Sequence, residues 1–230
     1  MARIVYLGHS AFYIEGKAHD VLVDPFITGN PSAQAAGLKA SQFQPHGIVI
    51  SHGHFDHFED AVDIARRTQA TVVASFELAN YLQGKGAPQT FGMNPGGPCV
   101  FPFGSVRLTK AYHSSSHEGT YLGSPCGIVL TTDDGLTIYH AGDTELFGDM
   151  ALIGALDKPQ VALLPIGSVF TMDPAQALEA VKLIKPQVVI PMHYNTWPPI
   201  AQDAHAFRKR VEAETSAKVM VLSAGQSWSS

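Results

Sequence analysis

Short apolar runs separated by turn residues recur along the chain. They are rich in Val, Ile and Leu, which is typical of buried β-strands. Residues 133–135 (Asp-Asp-Gly) predict a hairpin turn, because Asp and Gly tolerate the positive φ angles that such turns need. The predicted strands are residues 4–7, 21–23, 47–50, 71–74, 106–109, 127–131, 136–139, 161–164, 188–190 and 218–222.

Helical patterns lie between these strands. The clearest spans residues 173–184, where Asp173 can cap the helix and Pro174 suits its first position. Strands that dominate the first half, with helices interspersed, predict two sheets sandwiched between helices. The loop at 94–98 is too short for a linker, so one domain over residues 1–230 is expected. The weaker helical patterns cover residues 59–68, 77–82, 145–156 and 202–214.

Composition and charge narrow the class of protein. Of 230 residues, 45% are hydrophobic and 15% charged, with a net charge of −5. These values exclude disorder, and the lack of a Lys or Arg run disfavours nucleic acid as a partner. No apolar stretch reaches the about 18 residues of a membrane helix, and the first residues become polar too early for a signal peptide. A cytoplasmic protein without membrane contact is expected, with Cys99 and Cys126 as reduced thiols.

A dense cluster of candidate metal ligands follows the predicted strand 47–50. The sequence from Ser51 reads Ser-His-Gly-His-Phe-Asp-His, which places three imidazoles and one carboxylate within six residues. Imidazole and carboxylate suit zinc and similar divalent cations. A polar surface turn is the alternative interpretation of so short a motif. The candidate ligands are His52, His54, Asp56 and His57.

Three further candidates, His113, Asp143 and His193, also come shortly after predicted strands. If those strands lie side by side, their ends converge at one edge of the sheets, where folds of this kind place their sites. Four separate loops would then supply seven ligands to one site.

This order of residues resembles the metallo-β-lactamase superfamily, whose fold is an αββα sandwich of two mixed sheets that holds one or two metal ions. The resemblance rests on the H-x-H-x-D-H string, the later single His, the Gly-Asp-Thr that contains Asp143, and the late His193. Further segments resemble those of one branch of the superfamily, a group of cytoplasmic metal-dependent hydrolases. That branch is similar to the ascorbate-phosphate lactonases. These segments are residues 8–12 (Gly-His-Ser-Ala-Phe), 24–26 (Asp-Pro-Phe) and 191–196 (Pro-Met-His-Tyr-Asn-Thr).

The resemblance implies two divalent metal ions and a role for each ligand. Zinc is the expected metal, with manganese and iron as alternatives because the ligand set contains no Cys. A buried carboxylate at Asp24 would orient the His loop from behind. The implied first-ion ligands are His52, His54 and His113, the second-ion ligands are Asp56, His57 and His193, and Asp143 would bridge the ions.

Other polar side chains are candidates for catalysis or substrate contact. Asp56, or His9 if it reaches the site, is the candidate that moves a proton to the leaving group, although His9 could equally be a structural turn residue. His117, in a Ser-rich loop, is a candidate substrate contact, with a solvated loop residue as the alternative. Asn195 and Trp197 flank the late ligand and are further candidate substrate contacts, with packing as the alternative for Trp197.

The expected activity is hydrolysis of a small ester, lactone or phosphodiester by a hydroxide held between two divalent ions. His140 is expected to be a core histidine bonded to backbone. The chain has no G-x-S-x-G elbow for a nucleophilic Ser and no dinucleotide fingerprint. Two alternatives stay open. One is a di-iron redox protein on the same scaffold, where relatives usually carry Glu at the position of His54; the other is a non-catalytic metal-binding or regulatory protein.

Overall fold

Two β-sheets packed face to face, with helices on their outer sides, form the computed structural model, which describes residues 2–230. The strands are β1 (Arg3–Gly8), β2 (Ala11–Glu15), β3 (Asp20–Val23), β4 (Gly47–Val49), β5 (Thr71–Ser75), β6 (Gln89–Met93), β7 (Cys99–Phe101), β8 (Gly104–Lys110), β9 (Ser116–His117), β10 (Thr120–Tyr121), β11 (Cys126–Thr132), β12 (Thr137–His140), β13 (Val161–Pro165), β14 (Val188–Met192), β15 (Lys218–Val219) and β16 (Ser227–Ser229). The helices are α1 (Pro31–Ala35), α2 (Phe55–Phe58), α3 (Ala61–Thr68), α4 (Phe76–Gly84), α5 (Met150–Asp157), α6 (Pro174–Ile184) and α7 (Ala204–Glu214).

Both large sheets are mixed. The first has the order β16-β1-β2-β3-β4-β5-β6, and the second has the order β15-β14-β13-β12-β11-β8-β7. In each sheet one half is antiparallel and the other half is parallel, with the change at β3 in the first sheet and at β12 in the second. This is the αββα sandwich expected from the sequence.

Three apolar layers hold the sandwich together. Alternate side chains of both sheets, such as Ile4, Leu108 and Leu163, meet between the sheets. The outer face of the first sheet packs against α1, α3 and α4, and that of the second sheet packs against α5, α6 and α7. The inner strands of the parallel halves, β4, β5, β13 and β14, are buried on both faces, which explains why they read as continuous apolar runs in the sequence.

The predicted hairpin and helix 173–184 are confirmed. β11 and β12 pair antiparallel, and Gly135 has φ +92° in the turn. Asp173 accepts a hydrogen bond from the backbone N of Gln176, as a helix cap does. Cys99 and Cys126 are both free thiols. Within residues 2–230, no helix combines the length and the apolar character needed to cross a membrane.

Several predicted bounds are wrong. The helix predicted at 145–156 begins only at Met150, because the backbone N of Glu145 donates to Tyr112 O and holds residues 145–149 outside the helix. The predicted strand 218–222 ends at Val219. The sequence prediction also missed β2, although 11–14 is an apolar run, and it missed β6, β7 and β16, which lie toward or at the sheet edges and carry mostly exposed or half-buried side chains.

The sheet topology brings the ends of six strands, and the loops that start there, to one edge of the sandwich. In the first sheet, β3 and β4 run parallel, so the residues after Val23 and after Val49 are neighbours. In the second sheet, β8 and β12 both pair antiparallel with β11 and therefore end at the same edge. β13 and β14 run parallel to β12 and end there too.

Candidate metal centre

A buried carboxylate holds the His-rich loop that follows β4. Asp24 is fully buried directly after β3, and Oδ1 accepts a hydrogen bond from Ser51 N at 2.7 Å. Oδ2 accepts from Ser51 Oγ at 2.6 Å and from His57 Nδ1 at 2.7 Å. The loop then bends to His54, whose own backbone is extended, and the single turn of α2 carries Asp56 and His57 toward the same point. Asp24 thus lies behind the loop and fixes both of its ends.

Three imidazoles converge in front of this loop. His52 Nε2 lies 2.9 Å from His54 Nδ1, which lies 3.3 Å from His113 Nε2. Nitrogens bonded tetrahedrally to zinc at 2.0–2.1 Å are about 3.3 Å apart, so these separations are close to those of a ligated set. The three nitrogens could hold a metal ion together.

Hydrogen bonds on the far side of two rings fix their tautomers. Ser51 Oγ donates its hydrogen to Asp24 and so acts as acceptor for His52 Nδ1 at 3.0 Å. His57 Nδ1 donates to Asp24. In the neutral form of both rings the proton is therefore on Nδ1, so that Nε2 turns a lone pair toward the centre, as a metal ligand must.

The second group of ligands lies beside the first. Asp56, His57 and His193 offer atoms within 4.8 Å of one another. Asp143 stands between the groups: Oδ2 lies 2.9 Å from His193 Nε2 and 3.5 Å from His113 Nε2, while Oδ1 lies 3.4 Å from His57 Nε2. One carboxylate therefore faces both groups.

Buried polar atoms without partners cluster at this centre. Among residues 2–230, His57 Nε2, Asp143 Oδ1 and His193 Nδ1 are buried and make no hydrogen bond. Each unpaired buried polar atom costs about 1–3 kcal/mol, so three in one place need a compensating partner. A divalent cation would satisfy the inward-facing lone pairs of the first two, and nitrogen and oxygen ligands are the types that zinc, manganese and iron accept.

The electrostatics keep the first group of imidazoles neutral. Burial, reinforced by the neighbouring His57, lowers the pKa of His52 well below its ordinary value. Burial also lowers the pKa values of His54 and His113. Neutral imidazole is the form that binds a metal.

Asp143 and His57 form a charged pair instead. Burial favours the neutral form of Asp143, but His193 and His57 outweigh it and hold the pKa of Asp143 well below its ordinary value. Burial likewise opposes the charge on His57, but Asp143 and Asp24 outweigh it and raise the pKa of His57 well above its ordinary value. Without a cation, a proton on His57 balances the carboxylates.

His9 lies behind Asp56 and is only 1% exposed. Its Nε2 lies 3.0 Å from Asp56 Oδ2, and its Nδ1 lies 2.7 Å from Thr196 Oγ1. Burial and the nearby His193 lower the pKa of His9 to about 4. A neutral His9 therefore contacts two of the candidate ligands: it hydrogen-bonds Asp56, and its ring packs against that of His193 at a centroid distance of 4.0 Å. Its backbone O also accepts a hydrogen bond from His193 N.

A cavity of about 730 Å³ opens over the centre. His117 and Trp197, two of the predicted substrate contacts, line it together with Phe55, Phe170 and Glu118. The third, Asn195, lies outside the cavity. Its side-chain oxygen accepts from Gln202 N at 2.8 Å and so holds the loop after β14.

Hydroxyl groups that support the centre escaped the sequence analysis. Ser115 Oγ accepts from Gly53 N at 3.0 Å, and Thr144 Oγ1 accepts from Tyr112 N at 3.0 Å, so each ties one ligand loop to another. Ser51 and Thr196 support His52 and His9 as described above. All four hydroxyls lie within three residues of a ligand in the chain, which is the only signal that could have identified them.

The prediction that His140 is a core histidine bonded to backbone is confirmed. Its Nδ1 accepts from Gly142 N at 3.1 Å, so Nε2 donates to Ser10 O at 2.9 Å. Gly142 has φ +63°, and a Cβ there would lie 2.5 Å from Cys126 O. Only Gly allows the loop to turn this tightly before Asp143.

A family model matches most of the chain, and a named relative matches nearly all of it. The model, described as "Beta-lactamase superfamily domain", matches residues 3–193. The UPF0173 metal-dependent hydrolase of Pelotomaculum thermopropionicum is 51% identical over 230 residues, which cover 98% of each chain.

Solved structures share the fold. Igni18, described as a novel metallo hydrolase from the hyperthermophilic archaeon Ignicoccus hospitalis, is 42% identical and superposes with a TM-score of 0.90, covering 99% of this chain and 97% of its own. CmlA, a diiron β-hydroxylase from Streptomyces venezuelae, has a TM-score of 0.80 at 14% identity and covers 99% of this chain and 54% of its own. At that identity the likeness extends to the fold alone.

Proposed function

The chain belongs to the metal-dependent hydrolases of the β-lactamase superfamily, and we propose that it hydrolyses a small ester, lactone or phosphodiester with two divalent metal ions. Zinc is the first choice of metal, with manganese and iron as alternatives. The observation that carries the proposal is the meeting of side chains from four loops around unpaired buried lone pairs.

The ligand atoms divide into two sets that share one carboxylate. His52, His54 and His113 would hold one ion, Asp56, His57 and His193 would hold the other, and Asp143 would contribute to both. Ions bound there would lower the pKa of a bound water to about 7 and polarise the carbonyl or phosphoryl oxygen under attack. Asp24 and Ser51 keep the ring tautomers in the ligating form, so that the chain needs no rearrangement to bind them.

We propose that Asp56 moves the proton in the reaction. Asp56 lines the cavity and can accept a proton from water and donate it to the leaving oxygen. His9 holds the Asp56 carboxylate in place through Nε2 and is itself held by Thr196. We therefore assign His9 a positioning role for Asp56.

Two other activities receive less support. The relatedness to named hydrolases shows an enzyme, which removes the non-catalytic alternative. The di-iron redox alternative has only a fold likeness behind it. His54 contributes an imidazole where such redox proteins were expected to carry Glu.

The test combines metal analysis with a panel of substrates. The protein, reconstituted with zinc, manganese or iron, should hold two ions per chain and hydrolyse at least one ester, lactone or phosphodiester. His54→Ala and Asp143→Asn should each lose at least about a hundredfold in kcat, because each removes a ligand. His205→Ala and Asp63→Asn, which remove the same groups from exposed positions, are matched controls that should keep full activity.

Two results would refute the proposal. One is wild-type protein that takes up no divalent ion. The other is an Asp143→Asn variant that turns over every substrate at the wild-type rate.

A further inference from the structure

The cavity over the metal centre has an aromatic wall made of Phe55, Phe170 and Trp197. Phe55 and Phe170 are 49% and 54% exposed, although burying such rings is worth about 2–3 kcal/mol each. Phe55 and Trp197 both pack against the buried ring of Phe26, at centroid distances of 5.8 and 6.2 Å. This part of the wall is therefore fixed before any ligand arrives.

Phe170 completes the wall from a strained loop. Ser168 and Val169, just before it, have φ +64° and +60°, which is a costly conformation for a β-branched residue. The loop is held by hydrogen bonds from Ser168 N to Met172 O and from Met172 N to Thr144 O, both 3.0 Å long. Thr144 is next to Asp143 in the chain, so the position of the Phe170 loop is coupled to the metal centre.

The charges that line the cavity are negative. Among residues 2–230, no Lys or Arg side chain lines it, whereas Asp56, Asp143 and Glu118 do. These carboxylates offset most of the charge of two divalent ions. A substrate that carries its own negative charge would gain little attraction and would lose its hydration against the aromatic wall.

We propose that the substrate of the hydrolase activity described above, on which this inference rests, is an uncharged ester or lactone whose apolar part lies against Phe55, Phe170 and Trp197. In the reaction the oxygen of water joins the acyl carbon and the bond from that carbon to the alkoxy oxygen breaks. One proton of the water goes to the alkoxy oxygen, and the other is released with the carboxylate product. No oxidant or further reactant is needed.

Kinetics on substrates with one common leaving group test the inference. Acetate, butyrate and hexanoate esters of p-nitrophenol are compared with bis(p-nitrophenyl) phosphate, which is an anion. Burial of a methylene is worth up to about fourfold in affinity, so kcat/KM for hexanoate should exceed that for acetate by at least about tenfold. Every ester should react faster than the phosphate diester.

Variants of the wall make the test specific. Phe170→Ala should lower kcat/KM for hexanoate at least about fivefold more than it lowers kcat/KM for acetate, with the difference in KM, since the longer chain has more contact with the ring. Phe170→Leu, which keeps an apolar side chain, should retain most of the preference. Leu156→Ala removes a side chain that is 76% exposed on α5, away from the cavity, and should change neither substrate.

Binding gives a readout that does not depend on turnover. The chain has two Trp residues, so Trp228→Phe leaves Trp197 as the only indole fluorophore. In this background a neutral ketone such as 2-octanone should shift the emission of Trp197 saturably. Phe170→Ala should weaken that binding at least about fivefold. Dibutyl phosphate, a dialkyl anion, should bind less tightly than the ketone.

Failure of this inference differs from failure of the proposed function. A higher kcat/KM for the phosphate diester than for the esters would overturn the inference of a neutral, apolar substrate. So would a kcat/KM that depends neither on acyl length nor on Phe170. Both results would leave the proposed hydrolase function intact. Loss of all hydrolysis in the metal-loaded protein would instead overturn the proposed function.

Discussion

Replacing Asp24 with Asn should weaken metal binding through the tautomer of His57. In the wild type, Oδ2 of Asp24 accepts from both Ser51 Oγ and His57 Nδ1. If the Asn oxygen keeps the hydrogen bond from Ser51 N, the Asn NH2 group takes the place of Oδ2. Its hydrogens then face the two donors, Ser51 Oγ and His57 Nδ1. His57 must then move its proton to Nε2, where it blocks the lone pair that faces the centre.

The size of the effect follows from the bonds that are lost. Hydrogen bonds to a buried charge are worth about 1.5–3 kcal/mol each, so the loss of two should lower the free energy of unfolding by about 3 kcal/mol or more. In a chain of this length that lowers Tm by about 6 °C or more. Disturbing a residue that orients a ligating His should also reduce metal affinity about 10–100-fold.

Asp60→Asn is the matched control. Asp60 is also a buried carboxylate, and it anchors a loop by accepting from Ile27 N at 2.7 Å and Thr28 N at 2.9 Å, with no imidazole among these partners. The Asp60→Asn variant should have a lower Tm than the wild type but the same metal affinity, as measured by competition with a chromophoric chelator. If Asp24→Asn lost stability but bound both ions as tightly as wild type, the tautomer explanation would be wrong.

Three further predictions concern the same centre. Ser51→Ala should lower metal affinity about tenfold, because His52 Nδ1 loses its acceptor; a chelator competition titration with zinc would show this, and unchanged affinity would contradict it. The raised pKa of His57 predicts that metal binding releases a proton and tightens as pH rises toward that pKa; calorimetry in buffers of different ionisation enthalpy would detect the proton, and an identical heat in all buffers would exclude its release. Removal of metal with EDTA should leave the circular dichroism spectrum intact, because the apolar layers do not depend on the ions, while activity disappears and returns with added cation; unfolding on chelation would show a structural metal instead.

Many of the strands and candidate ligands could be predicted from the sequence, because strand periodicity and ligand types are local properties. The strand before Ser51 and the ligands after it could be placed from eleven consecutive residues (47–57), and the resemblance to a known superfamily supplied the arrangement of the sandwich. The hydrogen bonds that hold the ligands and His9 in place could not be predicted in the same way. The contact between His9 and Thr196 joins residues 187 positions apart, and only the fold brings them together. Asn195 lies two residues after the ligand His193, in a backbone with φ +59°, and its side chain accepts a hydrogen bond from Gln202 N instead of lining the cavity.

Because the candidate ligands come from loops of both sheets, tight metal binding requires that the two sheets be assembled. His52, His54, Asp56 and His57 follow β4 of the first sheet, and His113, Asp143 and His193 follow strands of the second sheet. A chain cut within the exposed loop at 94–98 would yield two fragments, neither with a full ligand set. Only reassociated fragments would recover tight metal binding. The second fragment also contributes β16 to the first sheet beside β1, so complementation would also join the fragments at the edge of that sheet.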